Sequence, residues 1–473
     1  MDKALDILKQ YYGYSSFREG QEEIIREILN GNDVLTIMPT GGGKSICYQV
    51  PAILLDGITI VISPLISLMK DQVDNINNLG IKSAYINSSL SNIEINNILH
   101  EAARNEIKIL YVAPERLESQ AFLELIASIN VSMVAIDEAH CVSQWGHDFR
   151  SSYRRISRVI SLLRNRPIVT AFTATATDEV REDIINLLEL NNPKIFISGF
   201  DRNNLKIIIE KGVNKKNYIL DYINNNRHES GIIYASTRKE VDNLYELLNS
   251  KGLQVEKYHA GLSDDYRKTA QENFIYDKCN IIIATNAFGM GIDKSNVNFV
   301  IHYNCPKDIE SYYQEIGRAG RDGTNAECIL LYNGQDFNIS RFLIDKTYEE
   351  EMNNINVDQE VAQSVYEYKL DKLEKMKMLC YSNECIKKYI LAYFGEYKFE
   401  NCENCSVCEN EFEEIDVTIE CNKILAAVNE YNLRYGETTL ADILKGSKSK
   451  KITGLGLHNS NSYGILNVLT IAE

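Results

Sequence analysis

Short apolar runs recur along this chain, and they constrain its fold more than any other feature. Most are followed by Gly, Ser, Thr or Pro and then by helical spacing. Continuous apolar strands that alternate with helices predict a parallel sheet covered on both faces. Ligands bind such sheets at the carboxyl ends of the strands, where these polar residues lie. The first series comprises DVLTIMP (33–39), ITIVISP (58–64), IKILYVAP (107–114), VSMVAID (131–137) and PIVTAFTA (167–174).

A second series follows after residue 230: GIIYAST (231–237), NIIIATN (280–286), NFVIHYN (298–304) and AECILLYN (326–333). The stretch SGFDRNNL (198–205) separates the two series. We therefore predict an α/β protein of two lobes with a cleft between them. Charged helical sequence and a cysteine cluster come after about residue 345. The predicted domains are a first lobe (1–200), a second lobe (201–345), a helical metal-binding module (346–412) and a small helical tail domain (413–473).

The composition excludes some classes of protein. A net charge of −16 argues against a protein that coats nucleic acid through its overall charge. A locally basic groove remains compatible with that charge, because affinity depends on the particular phosphates that are neutralised. No apolar run approaches the roughly 20 residues of a membrane span, and MDKALDILKQ lacks the apolar core of a signal peptide. We expect a cytosolic protein.

The segment MPTGGGKSICYQ (38–49) follows a predicted strand and opens a predicted helix. Glycines let backbone N–H groups and a helix N-terminus approach phosphates closely. We predict an ATP site at Thr40–Ser45, in which Lys44 reaches the β- and γ-phosphates and Ser45 binds Mg²⁺. The alternative is a tight strand-to-helix turn without a ligand. Met38 occupies the first glycine position of the strict phosphate-loop pattern, whereas Gly41, Gly42 and Gly43 are intact.

Two acids at the end of a predicted strand complete this site. Asp137 can hold Mg²⁺ through water, and Glu138 can orient and deprotonate the attacking water. An exposed acidic pair is the alternative. The stretch SYYQEIGRAGRDG (311–323) adds Arg318 and Arg321, which we predict to stabilise the γ-phosphate charge from the second lobe. A solvated helix face would explain the arginines alone. Gly-rich ATNAFGMGID (284–293) is expected to contact phosphates.

A cysteine cluster predicts a metal site. Its spacing is Cys385-x16-Cys402-x2-Cys405-x2-Cys408, whereas the remaining cysteines are mostly single residues in apolar runs. Four thiolates with this spacing suit a closed, tetrahedral Zn²⁺ site. A redox CxxC pair and an iron–sulfur cluster are the alternatives. Cys380 has no place in the pattern.

Together these motifs resemble the RecQ family of DNA helicases, within the DEAD/DEAH-like superfamily. The resemblance extends from about Tyr11 to about residue 464. It implies two RecA-like lobes, a helical zinc-binding module and a partial winged-helix domain. Tyr14 would stack on adenine, with Arg18 and Gln21 contacting the nucleotide. The segments that carry the resemblance are GYSSFREGQEEII (13–25), VISPLISLMKDQ (61–72), YVAPERL (111–117), AFTATAT (171–177) and YHAGLSDDYR (258–267).

The family also has an aromatic-rich loop directly after its DEAH motif, which corresponds here to VSQWGHDFR (142–150). Trp145, the single tryptophan, and Phe149 offer flat faces on which an unpaired base can stack. A tryptophan packed in a core is the alternative. We expect DNA-binding or coupling roles for these two residues and for His140, Gln144, Arg150 and Gln314. The family's CRR is Cys385-Ile386-Lys387 here, which removes arginines from a DNA-facing helix.

The tail (416–464) resembles the start of the family's winged-helix domain. Its basic stretch GSKSKK (446–451) predicts a contact with duplex phosphate or, equally, a solvated charged face. After Gly464 the remaining stretch ILNVLTIAE (465–473) stops where the family continues, so we expect an incomplete wing.

The resemblance implies an ATP-dependent helicase that moves 3′ to 5′ on single-stranded DNA. It would act in DNA recombination, repair, replication and the SOS response. It would be a cytoplasmic, nucleoid-associated bacterial monomer that uses ATP, Mg²⁺ and Zn²⁺. Its partners would be single-stranded, forked and duplex DNA, with single-stranded-DNA-binding protein as a further candidate. A DNA-stimulated ATPase or annealing module with weak unwinding is the main alternative, and an RNA helicase is another.

Overall fold

The structure is a computed structural model that describes residues 1–289, 294–354, 358–397, 399–410, 416–432 and 434–468. It divides into two compact units, Met1–Glu409 and Asn410–Glu473. Among the described residues, no helix has the length and apolar character needed to cross a membrane.

The first lobe is built on a seven-stranded parallel sheet. Its strands are β1 (Val34–Ile37), β2 (Ile58–Ile62), β3 (Ser83–Ile86), β4 (Ile109–Val112), β5 (Val131–Ile136), β6 (Ile168–Thr173) and β7 (Lys194–Ile197). Their order in the sheet is β3-β4-β2-β5-β6-β1-β7, and all neighbours are parallel. The central strands are buried on both faces, as their uninterrupted apolar sequences predict.

Helices cover both faces of this sheet. They are α1 (Asp2–Ile7), α2 (Gln21–Leu29), α3 (Lys44–Leu54), α4 (Ile66–Asn78), α5 (Asn92–Ala103), α6 (Gln120–Ser128), α7 (Ile156–Ser161) and α8 (Asp178–Leu187). Short 3₁₀ turns occupy Pro114–Arg116, Ala139–Val142 and Ser151–Arg155, and a π-helical turn occupies Leu8–Tyr12. Two apolar clusters form on this sheet, so each face has its own core.

The second lobe has a six-stranded parallel sheet. Its strands are β8 (Leu205–Lys211), β9 (Gly231–Tyr234), β10 (Val255–Tyr258), β11 (Ile281–Ala284), β12 (Phe299–His302) and β13 (Ala326–Tyr332). The order is β10-β11-β9-β12-β13-β8. Its helices are α9 (Lys215–Asn225), α10 (Arg238–Ser250), α11 (Asp264–Ile275) and α12 (Ile309–Ile316). The prediction of an α/β fold with two parallel-sheet lobes is confirmed.

In the described part of the chain that follows within the same compact unit, the helices are α13 (Gly334–Met352), α14 (Gln359–Tyr381), α15 (Ile386–Tyr393) and α16 (Ser406–Glu409). The segment around α16 docks on edge strand β8. Cys405 forms a parallel bridge with Ile207, the Ile209 N–H donates to Ser406 Oγ at 3.1 Å, and Lys206 pairs with Glu409 at 2.7 Å. An open strand edge is a template for unwanted pairing, and this module covers it.

The second unit is small. Its helices are α17 (Thr418–Tyr431), α18 (Glu437–Lys445) and α19 (Lys450–Gly454), followed by a 3₁₀ turn at Leu457–Asn459. Ile443, Ile452 and Leu457 form one apolar cluster, and Ala427, Leu444 and Leu466 form another. Lys448 and Lys450 of the basic stretch are exposed, whereas Lys451 Nζ donates to Thr439 Oγ1 at 2.7 Å. Residues 469–473 lie outside the described part of the chain.

Asp33, just before β1, ties the amino ends of three strands together. Its carboxylate accepts from the N–H groups of Val169 at 2.9 Å and Asn191 at 2.7 Å, and it pairs with Arg166. Its backbone oxygen accepts from the Lys194 N–H at 2.8 Å. The side chain is 3% exposed, so water does not compete for these bonds.

We expect Asp33→Ala to lower the midpoint of the first denaturant-unfolding transition, because the buried Val169 N–H loses its acceptor at about 1–3 kcal/mol, and the bonds to Asn191 and Arg166 are lost as well. The measurement is urea unfolding followed by circular dichroism. Asp56→Ala, at an exposed aspartate of the same lobe, is the matched control and should unfold like the unsubstituted protein. An unchanged midpoint for Asp33→Ala would contradict this account of the strand ends.

Candidate functional site

The glycine-rich loop lies between the end of β1 and the start of α3. Gly41 and Gly43 have left-handed backbones, with φ of 82° and 84°. A Cβ on Gly42 would lie 2.6 Å from Met38 Cγ, so only glycine fits there. Met38 itself is buried in the core, and its carbonyl accepts from Lys44 Nζ at 3.1 Å. The missing first glycine is therefore tolerated, because this side chain packs inward beneath the loop.

An N-terminal segment supports the loop from outside. Arg18 Nη1 donates to the Gly41 carbonyl at 2.7 Å, and Gln21 Nε2 donates to the Gly43 carbonyl at 3.1 Å. The Arg18 N–H in turn donates to Gln21 Oε1 at 2.9 Å. Tyr14 is 55% exposed at the edge of the same cavity, so its ring is accessible to a planar ligand.

The acid pair lies at the carboxyl end of β5. The Glu138 N–H donates to Asp137 Oδ1 at 3.0 Å, and Ser63 Oγ approaches Asp137 Oδ2 at 3.5 Å. Burial, followed by the Glu138 charge, raises the pKa of Asp137 to about 7, although Lys44 acts to lower it. A carboxylate that is costly to ionise by itself is suited to a cation, which would offset that cost.

A cavity of about 570 Å³ collects most of the predicted ATP-site residues. Its volume lies in the range of small-ligand sites, roughly 300–1,000 Å³. The first lobe contributes Tyr14, Arg18, Gln21, Thr40, Gly41, Gly43, Lys44, Ser45, Asp137 and Glu138, and the second contributes Gln314, Arg318 and Arg321. The tertiary structure thus brings residues more than 300 positions apart in sequence to one cavity.

The two arginines follow α12 of the second lobe. Arg318 is 5% exposed and donates to the Gly289 carbonyl. Arg321 crosses to the first lobe, where its Cγ lies 3.4 Å from the position that a Cβ on Gly41 would take. Both side chains line the cavity. Residues 290–293 of the ATNAFGMGID segment lie outside the described residues.

His140 connects the acid pair to the neighbouring strand. Its Nδ1 lies 2.9 Å from Thr173 Oγ1 at the end of β6 and 3.3 Å from Glu138 Oε2. The Thr173 hydroxyl donates its hydrogen to the Thr175 carbonyl, so its oxygen accepts a hydrogen bond from the Nδ1–H of His140. Burial, followed by electrostatic interaction with the His147 ring and with Lys44, holds the pKa of His140 well below its usual range. His140 is therefore neutral and positioned between Glu138 and the AFTATAT segment.

The aromatic-rich loop contacts the second lobe. The His147 ring stacks on His140 with centroids 4.1 Å apart, and its Nε2 lies 3.1 Å from Gln314 Oε1. Lys307 Nζ donates to the His147 carbonyl at 2.9 Å. The loop therefore reaches from the neighbourhood of Glu138 to α12, and Arg318 follows two residues after the end of that helix.

The other loop residues that we predicted to bind DNA are half-buried. Trp145 packs partly against the core, and Arg154 lies over the Phe149 ring at 5.1 Å. Arg150 pairs with Asp148 at 3.0 Å and donates to the Pro64 carbonyl at 3.0 Å. Gln144 shares this half-buried surface.

The cysteine cluster is assembled as its spacing predicts. The Sγ atoms of Cys385, Cys402, Cys405 and Cys408 all lie within 4.8 Å of one another. Tetrahedral Zn–S bonds of about 2.3 Å place thiolates roughly 3.8 Å apart, and Cys402 Sγ lies 3.9 Å from Cys408 Sγ. Burial acts to raise the pKa of Cys405, but N–H bonds from Cys408 and Ile386 leave it lowered overall. These residues fit a zinc ion.

Sequence reasoning missed Arg202 in the joint between the lobes. Its guanidinium donates to the Thr40 carbonyl at 3.2 Å and to the carbonyls of Ala319 and Gly320 at 3.1 and 2.7 Å. It thus links the glycine-rich loop to the arginine segment. Its position in the predicted joint was the available sequence signal.

Lys387 supports Arg202 from the metal-binding module. Its Nζ donates to the Arg202 carbonyl at 3.0 Å and lies 3.6 Å from Asp201 Oδ1. The residue is 5% exposed. This lysine, at a position where the resembling family has arginine, therefore faces the lobe joint.

Comparison with known families covers nearly the whole chain. The DEAD/DEAH box helicase family matches residues 18–184, and the helicase conserved C-terminal domain matches residues 214–323. The RecQ zinc-binding family matches residues 334–409, and the RQC domain matches residues 411–473.

Similar proteins include ATP-dependent DNA helicase RecQ from Bacillus subtilis, which is 46% identical over 100% of this chain and 78% of that protein. ATP-dependent DNA helicase RecQ from Pasteurella multocida is 40% identical over 98% of this chain and 71% of that protein.

Solved structures of lower identity share the fold. The DUF1998 helicase MrfA bound to DNA has a TM-score of 0.60 at 18% identity, covering 78% of this chain and 57% of that one. S. cerevisiae Dbp5 bound to RNA and ADP BeF3 has a TM-score of 0.58 at 19% identity, covering 77% of this chain and 97% of that one.

We expect the purified protein to contain zinc, and Cys405→Ser to lose the metal and to unfold at lower temperature, because structural zinc binding contributes to folding free energy. Metal analysis and thermal unfolding test this. Cys421→Ser, at an exposed cysteine outside the cluster, is the control and should keep its zinc. A stable, zinc-free wild type would contradict the assignment, and iron in its place would indicate a cluster.

Proposed function

The chain belongs to the RecQ family of DNA helicases and is an ATP-dependent DNA helicase, and we propose that it moves 3′ to 5′ on single-stranded DNA as it unwinds duplexes. The observation that carries the proposal is the cavity between the lobes. There Lys44, the acid pair and two arginines of the second lobe surround one space of nucleotide size. We further propose roles in DNA recombination, repair and replication.

Within this proposal the first lobe binds the nucleotide. Tyr14 stacks on adenine, Arg18 and Gln21 contact the nucleotide and hold the loop, and the Thr40–Ser45 backbone encloses the phosphates. Lys44 neutralises phosphate charge. Ser45 and Asp137 would hold Mg²⁺, which supplies further neutralisation when bound. Glu138 takes the proton of the attacking water, with His140 beside it.

The second lobe completes the proposed site. Arg318 and Arg321 stabilise the charge that develops on the γ-phosphate, as arginines do in related phosphoryl transfers. Arg321 is already against the glycine-rich loop, so a small closure of the cleft would suffice. Arg202 connects both parts of the site and would limit how far the lobes separate.

DNA would act on this site through the aromatic-rich loop. We propose that Trp145 and Phe149 stack on unpaired bases and that Gln144 and Arg150 add polar contacts. His140 and Gln314 would transmit the rearrangement of the loop that follows DNA binding. The loop reaches Glu138 through His140, and it reaches α12 through Gln314. The substrates would be single-stranded and forked or duplex DNA, and the protein would act as a cytoplasmic, nucleoid-associated monomer that works with single-stranded-DNA-binding protein.

We also propose the domain limits 1–200, 201–345, 346–412 and 413–473, although the boundary at 345 falls within α13. An ATPase without unwinding is not favoured, because RecQ helicases match this chain over 98–100% of its length.

Unwinding of 3′-tailed and 5′-tailed duplexes tests the main proposal. Unwinding of the 3′-tailed substrate supports it, and DNA-stimulated ATPase without unwinding would overturn it.

We expect Lys44→Ala to abolish ATP turnover, because the phosphates of ATP lose the ammonium group that neutralises their charge. Steady-state ATPase assays with and without single-stranded DNA check this. Lys278→Ala is the matched control, since this exposed lysine precedes β11, at the amino end of the strands and away from the cavity. Substantial ATPase activity of Lys44→Ala would contradict the assignment of the site.

We expect Trp145→Ala to raise the DNA concentration that half-saturates ATPase by about 5- to 150-fold, because base stacking contributes roughly 1–3 kcal/mol. Basal hydrolysis should change little, since Trp145 does not line the nucleotide cavity. Trp145→Phe keeps an aromatic face for stacking, so its half-saturating DNA concentration should lie between those of the wild type and Trp145→Ala. Equal losses of basal and DNA-stimulated activity would defeat the coupling role.

A further inference from the structure

Trp145 is held by a helix of the metal-binding module. Its indole packs against the Tyr368 ring of α14, with centroids 4.9 Å apart and an interplanar angle of 68°. Its carbonyl accepts from Lys372 Nζ of the same helix at 2.8 Å. Tyr368 and Lys372 are one helical turn apart and share a face of α14. We call these two residues the α14 platform.

The platform is fixed independently of the loop. Lys372 Nζ pairs with Glu310 at 2.7 Å, and both side chains are almost fully buried, at 6% and 4% exposure. The same ammonium lies 4.6 Å from the centroid of the Tyr368 ring. A buried ion pair of this kind breaks only at high cost, because each charge would be left without a partner. Lys372 therefore stays with α12 of the second lobe when the loop moves.

The contact of the loop with the platform is weaker than the platform itself. It consists of one hydrogen bond to a backbone carbonyl and one edge-on aromatic contact, at a tryptophan that is only partly buried. An aromatic pair of this type contributes about 0.5–1.5 kcal/mol beyond burial. A base stacked on an aromatic side chain contributes roughly 1–3 kcal/mol, so a base can compete with the ring contact for the indole. The Lys372 bond is made to the backbone carbonyl of Trp145, so the indole can leave Tyr368 without breaking it.

We propose that Tyr368 and Lys372 are positioning residues that hold Trp145 in a resting place, and that single-stranded DNA engages the loop by drawing the indole off the α14 platform. The inference rests on the proposed role of Trp145 in DNA binding. Movement of the indole also strains the bonds of His147 to Gln314 and Lys307, two residues away in the loop. Because His147 stacks on His140, release from the platform reaches the residue beside Glu138.

A resting contact lowers apparent affinity for DNA, since binding must first reverse it. The platform would then set the DNA concentration at which hydrolysis is stimulated, without contacting ATP. Removal of a platform residue would strengthen apparent DNA binding, whereas removal of a residue of the DNA site would weaken it.

The experiment uses the full chain and its single tryptophan, so intrinsic tryptophan fluorescence reports Trp145 alone. Tyr368→Leu removes the ring contact and keeps the buried ion pair. A second variant combines Lys372→Met with Glu310→Leu, which removes the donor without leaving a buried charge unpaired. Lys375→Met, an exposed lysine of α14, is the matched control. Each protein is titrated with short oligo(dT), and both ATPase activity and tryptophan emission are recorded.

In Tyr368→Leu we expect half-saturation of ATPase at about two- to tenfold less oligo(dT), which corresponds to losing the aromatic contact. Emission without DNA should shift to longer wavelength, and the further change on adding oligo(dT) should be smaller. The double variant should move in the same direction, and Lys375→Met should match the wild type.

Unchanged half-saturation and unchanged DNA-free emission in both platform variants would overturn the proposal. A higher half-saturating concentration would also overturn it, because α14 would then belong to the DNA site. A wild type without any DNA-stimulated ATPase would instead contradict the proposed function, whereas a shifted DNA-free emission in the variants would still support docking of Trp145 on the platform.

Discussion

Burial of both faces of a parallel sheet is the constraint on which the rest of this structure depends. Helices on each side leave the carboxyl edge as the place where polar groups can gather. In the first lobe, β2, β5, β6 and β1 are consecutive neighbours in the sheet. The glycine-rich loop and Asp137 lie at the ends of β1 and β5 and line the predicted nucleotide cavity. Ser63 and Thr173 lie at the ends of β2 and β6, between or beside these two strands.

The metal-binding module organises contacts well beyond its cysteines. Lysine is rarely buried unless it is paired. This module buries two lysines, and each has a partner: Lys372 pairs with Glu310 of the second lobe, and Lys387 donates to the Arg202 carbonyl in the joint. Lys372 reaches the aromatic-rich loop and α12, while Lys387 supports Arg202. A zinc ion that keeps α15 and the residues around α16 together would therefore stabilise the surroundings of both the aromatic-rich loop and the predicted ATP cavity.

The stretch DEAHCVSQWGHDFR (137–150) joins two kinds of chemistry. Its acids line the predicted nucleotide cavity, and its aromatic residues belong to the loop that contacts α12 and α14. His140 connects them, since it is close to Glu138, Thr173 and His147 at once. The stretch mixes residue types because its first part lines the cavity with acids, whereas its later part contacts α12 and α14 with rings and polar side chains.

The amino-acid sequence by itself determined the central strands of both sheets, the glycine-rich loop, the acid pair and the cysteine cluster. These features depend on neighbours in sequence: an apolar run, a strand followed by GKS, or cysteines at close spacing.

The strands absent from the apolar runs were β3, β7, β8 and β10, which are the four edges of the two sheets. Edge strands are less buried, and their apolar runs are no longer than three residues, which makes their signal weak. Only the tertiary structure brought Arg202 to the glycine-rich loop and Lys372 to Trp145, 227 positions away, because such contacts depend on how packed elements meet and leave no pattern along the chain.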